Sequence, residues 1–98
     1  MNNIPTIPGE AEAAALDQEL KGLLADVLGL DPAQAAGFEA DSGLFGHLPE
    51  LDSMAVAGLL TEMEDRFGIV IDDDDVSSEM LETYGGLLAF AKAKLAAS

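Results

Sequence analysis

Cysteine and tryptophan are both missing from this 98-residue chain, and only Lys21, Arg66, Lys92 and Lys94 carry a permanent positive charge. Without cysteine there is no disulfide, no thiolate metal site and no cysteine nucleophile, so any thiol chemistry has to come from an added group. Nineteen acidic residues against four basic ones give a formal net charge of −15. That balance excludes nucleic acid as a partner, because phosphates would be repelled at every approach, and it disfavours anionic membrane surfaces. The same field attracts and steers partners with basic patches, although solubility alone is the plainer reading. Met1-Asn2-Asn3-Ile4-Pro5 lacks the basic start and apolar run of a signal peptide. Nothing approaches the roughly 20 apolar residues needed to cross a bilayer, so a cytoplasmic protein is expected.

What is present is 49% apolar sequence, enough for a chain of this length to fold as one small domain, here expected to be monomeric. Residues 1–9, with Pro5, Pro8 and Gly9 and no apolar period, read as a loose tail, leaving 10–98 as the domain. Leu16, Leu20, Leu23/Leu24 and Val27/Leu28 then recur on one face of a helix. Gly29 is suited to a left-handed cap, with Leu30 folding back on the last turn. Asp31-Pro32-Ala33-Gln34 is a helix start (capping aspartate, then proline at the first helical position), and Gly37 stops that helix after one or two turns.

A long stretch to Leu51 follows, holding Gly43, Gly46 and Pro49, with Phe38, Leu44, Phe45, Leu48 and Leu51 as its inward anchors. The central helix is expected at about 53–67, with Val56, Leu60, Met63 and Phe67 toward the core. Ile69-Val70-Ile71 is β-branched but too short for a strand and reads as an extended linker. Asp72 to Asp75 form an acidic turn, and a short serine- or aspartate-capped helix runs to Leu81. Thr83 can cap a last helix whose buried face is Tyr84, Leu87/Leu88, Ala91 and Leu95, with Gly85-Gly86 explained only by close packing. The fold class is all-α: a four-helix bundle of three longer helices, a short third helix near 78–82 and a long first loop.

The residues that carry chemistry are Glu50-Leu51-Asp52-Ser53-Met54, at the mouth of the central helix. Asp-Ser-apolar by itself is a common helix opening. Followed by Leu59/Leu60, Glu62-Met63-Glu64, Phe67-Gly68, Ile71 and Asp72, it resembles the attachment site of an acyl carrier protein, over roughly residues 12–96. The resemblance implies an acyl-carrier-type bundle in which Ser53 bears a 4'-phosphopantetheine arm taken from coenzyme A. It implies that Asp52 and Met54 meet the phosphopantetheinyl transferase. Ala57, Thr61, Glu62 and Asp65 would dock an acyl-loading ligase or synthase and acyl-transferring enzymes with basic patches. A phosphate at a helix N-terminus meets unpaired N–H groups and the positive end of the dipole, which suits such an attachment. One departure stands out: many fatty-acid carriers have acidic residues in the first turns of this helix, where Ala55 and Gly58 are neutral here. A dedicated pathway is therefore at least as consistent as housekeeping fatty-acid synthesis.

No catalytic or metal site is expected. His47, six residues before Ser53, has no nucleophile-elbow glycine pattern with it and reads as a solvated loop residue. Asp72 to Asp75 lack the sixth-position glycine of an EF-hand, since Ser77 or Ser78 falls there. Two other readings remain open at this point: a peptidyl carrier loaded with an amino acid, and an acidic helical adaptor whose Ser53 is never modified. A small hydrolase is the remaining enzyme reading and is not expected.

Overall fold

The computed structural model describes residues 8–97, with side-chain burial from residue 14 onward. Among them lie five α-helices: α1 (Pro8–Leu28), α2 (Pro32–Ala36), α3 (Ser53–Phe67), α4 (Ser78–Glu82) and α5 (Tyr84–Ala97). A single 3-10 turn covers Asp73–Asp75. The three long helices and the short α4 form the expected bundle, and α2 is the brief helix foreseen inside the first connection. α1 begins two residues before the expected start, so Pro8 and Gly9 are helical; the rest of the expected tail, 1–7, lies outside the described residues.

The leucine period of α1 produces the core. Leu16, Leu20, Leu23, Leu24 and Leu28 are all buried, and they meet Leu44, Leu51, Leu59, Met63, Leu81, Tyr84, Leu87 and Ala91 in one cluster. At the end of α1, Gly29 adopts φ 68° and the Leu30 N–H donates to the Ala25 carbonyl at 3.0 Å. This is the Schellman ending, with Leu30 folded into the core. Asp31 caps α2 by accepting the Ala33 N–H at 2.9 Å.

The inward stripe of α3 is centred elsewhere than its spacing suggested. Leu59 and Met63 are fully buried, while Val56, Leu60 and Phe67 pack partly buried on either side. Helix α3 packs on α1, and it is tertiary packing in the shared cluster, not spacing, that chooses between neighbouring apolar rows. After Gly68, which closes α3 at φ 65°, Ile69 turns inward and Val70 outward. No strand forms there, and the Ile71 N–H is held by the Glu64 carboxylate at 2.9 Å.

The first loop is stitched to the α4–α5 junction by backbone bonds. Leu44 and Phe45 donate to the Glu82 and Leu81 carbonyls at 2.7 and 2.9 Å, and Tyr84 and Gly85 donate to the Ser42 and Ala40 carbonyls, each at 2.9 Å. This explains Gly85: a side-chain carbon there would sit 2.7 Å from the Ala40 carbonyl oxygen. Thr83 caps α5 as expected, its hydroxyl accepting the Gly86 N–H at 3.1 Å. Lys94 lies in the last turn of α5 but reaches the Asp75 carboxylate at 2.6 Å instead of the helix end.

Candidate functional site

Ser53 is the first residue of α3 and is exposed. The chain arrives through Asp52 in an extended conformation, φ −96° and ψ −175°. The Asp52 carboxylate accepts the Ala55 N–H at 2.8 Å, and its carbonyl accepts the Val56 N–H at 3.0 Å. Asp52 is thus a full N-cap. Leu51, buried at 3% exposure, plugs the core immediately before it. A buried leucine, a capping aspartate and a helix start leave the intervening serine facing out at the positive end of a 15-residue helix.

Beside the serine, Met54 is the most exposed large apolar side chain among the described residues, at 84%. Ala57, Thr61 and Asp65 are exposed on the same helix. The Thr61 hydroxyl is turned back to the Ala57 carbonyl at 2.9 Å. Glu62 is partly buried and tied to Arg66 at 3.2 Å, and Arg66 also reaches Asp26 on α1 at 3.0 Å. The structure therefore brings Ser53, Asp52 and Met54 together, and places Glu62 in an ion pair within the protein. Glu64, in the acidic stretch of α3, holds the following linker through Ile71.

Sequence reasoning set His47 aside, yet it lines the same groove as Ser53. Phe45, Gly46, His47, Leu48, Pro49, Leu51, Asp52 and Ser53 surround an open groove of about 470 Å³. The signal available in the sequence was Gly43: a side-chain carbon there would overlap the His47 ring. No group of three or more acidic or histidine side chains among the described residues is placed to hold a metal ion, the Asp72–Asp75 run included. No helix among them is long and apolar enough to cross a membrane.

The bundle thus presents an exposed serine outside the core, at the capped mouth of one helix. A family model described as the phosphopantetheine attachment site matches residues 18–91. The solution structure of a holo acyl carrier protein from Nitrosomonas europaea matches with a TM-score of 0.74 and 39% identity, covering 82% of this chain and 95% of that one. The chain belongs to the phosphopantetheine-dependent acyl carrier protein family, a family of carriers and not of catalysts, and its cofactor is covalently attached 4'-phosphopantetheine. A comparison with curated proteins finds no match.

Proposed function

We propose that Ser53 is the attachment residue and that this carrier holds acyl groups for partner enzymes of a dedicated pathway. The observation that carries the reading is the exposed Ser53 hydroxyl at the capped start of α3. The arm, once bound, supplies the thiol that the chain itself lacks and holds acyl groups as thioesters. The protein's own residues do the rest. The first turn of α3 offers N–H groups and dipole to the phosphodiester. Asp52 fixes the start of that turn and presents a carboxylate to the transferase. Met54, Ala57, Thr61 and Asp65 form the exposed docking face, with Glu62 contributing once its pair with Arg66 opens. Tethering the thiol raises its effective concentration at each partner's active site without new contacts.

The acyl cargo, in preference to an amino acid, is supported by the holo acyl carrier protein that this chain resembles. The neutral first turns of α3, Ala55 and Gly58 included, support a dedicated partner set. The test is intact-mass measurement after incubation with coenzyme A, magnesium and a broad-specificity phosphopantetheinyl transferase. The expected result is a gain of one phosphopantetheine that is lost in Ser53→Ala. No gain from the folded wild-type protein, with a control carrier modified alongside, would overturn the assignment.

A further inference from the structure

The groove beside Ser53 is lined by Ser53 itself together with Phe45, Leu48 and Leu51. Leu51 is buried and Phe45 and Leu48 are half-buried against the core, so their positions are set by packing. The loop carrying them is anchored to α4 through Leu44 and Phe45. His47 is exposed, its backbone N–H donating to the Leu44 carbonyl at 2.9 Å. Its ring lies back over Gly43, in space that any side chain at 43 would occupy. None of the four lysine and arginine side chains lines this groove, and His47 is the only lining residue with a side-chain N–H to donate.

A phosphodiester on Ser53 would sit next to Asp52 in the chain and three positions after Glu50, in a protein of net charge −15. The helix dipole offsets some of that repulsion, but the groove has a single side-chain donor to add to it. Resting on this carrier assignment, we propose that the groove is a docking site for the arm on Ser53, with His47 donating an N–H to the phosphodiester and the Phe45–Leu48–Leu51 wall receiving the apolar dimethyl segment of the pantetheine. The occupant is fixed by connectivity, because its point of attachment is part of the groove's lining. A tethered ligand needs only weak contacts to stay there, since its effective concentration is already high.

The experiment uses isotope-labelled protein carrying an unlabelled arm, installed from coenzyme A by the transferase. Expected are nuclear Overhauser cross-peaks from the arm's dimethyl group to Leu48 and Phe45. Amide shifts between the unmodified and modified forms should extend across Phe45–Leu51. His47→Ala should abolish the cross-peaks and move the phosphorus resonance, whereas His47→Gln, which keeps an N–H donor, should retain them. His47 is exposed, so amide positions elsewhere should show both variants folded. A mass gain on Ser53 with shifts confined to Asp52–Met54 and no cross-peaks would overturn the groove and leave the carrier intact. Cross-peaks that persist unchanged in His47→Ala would overturn the role of His47. The absence of any mass gain would sink the carrier assignment and the groove with it.

Discussion

The Tyr84 phenol on α5 donates to the Asp17 carboxylate on α1 at 2.6 Å, and lies 2.9 Å from the Asp17 backbone carbonyl. Lys21, one turn along α1, pairs with the same carboxylate at 3.2 Å, and its ammonium stands 5.7 Å from the centre of the Tyr84 ring. The Tyr84 hydrogen bond, against an opposing push from burial and with help from Lys21, holds the Asp17 carboxyl below its ordinary value. Burial, and next the Asp17 carboxylate, push the phenol well above its own. First and last helices are thereby fastened at a polar point on the edge of an apolar core.

That fastening makes stability depend on acid. A carboxylate whose folded pKa is depressed contributes fully above its ordinary pKa of about 4. The contribution is lost as pH falls through the lower folded value. Tyr84→Phe should therefore lower the melting temperature at pH 7. It should also flatten the part of the pH profile below about 4 that Asp17 supplies. Parallel acid limbs for wild type and variant would refute the linkage.

Asp52 combines a cap with a charge, and two substitutions separate them. Asp52→Ala loses a cap worth about 1 kcal/mol, a fall in melting temperature of roughly 4–8 °C for a domain of this size. Asp52→Asn keeps a good capping oxygen and should melt near wild type while slowing phosphopantetheinyl transfer. Equal transfer rates for Asn and Asp would remove the charge from the transferase contact.

Two helical glycines should respond with opposite signs. At Gly58 an added side-chain carbon meets nothing within 4 Å. Gly58→Ala should therefore stabilise the protein by about 0.5–1 kcal/mol through helix propensity. Gly85→Ala should destabilise it, because the Ala40 carbonyl 2.7 Å away is also the acceptor of the Gly85 N–H and cannot simply move aside. Thermal denaturation of the pair decides both.

Leu59→Ala removes a fully buried side chain from the core cluster and should cost about 2–5 kcal/mol. Val56→Ala, on the partly buried flank, should cost less. Urea unfolding at neutral pH measures both, and an equal loss would restore the stripe that the spacing alone suggested.

Local chemistry made most of the fold legible. The leucine repeat of α1, the Gly29–Leu30 ending, the Asp31-Pro32 start and the Asp52-Ser53 opening of α3 each depend on residues within one or two turns, and each is found as read. What depends on distant partners was not legible. Which row of α3 faces inward is decided by distant residues of the shared core cluster, so Leu59 was passed over for Val56 and Leu60. Gly85 is explained by a carbonyl 45 positions earlier, at Ala40. His47 is exposed on its loop, as read, but the groove it shares with Ser53 was not legible, because that loop's path is fixed by α4. The exposed position of Ser53 was legible because a cap, a plug and a helix start are all adjacent in sequence.

The stitching of residues 40–45 to 81–85 has a consequence for transplanting this site. The segment that delivers Ser53 takes its bearings from the α4–α5 junction, some thirty positions downstream in the chain. A graft cut at the ends of the serine's own helix would carry the motif but leave behind the frame that aims it. The smallest portable unit runs from the start of the first loop through the opening turn of α5, and a chimera with its seam inside that span should fold yet present its serine askew.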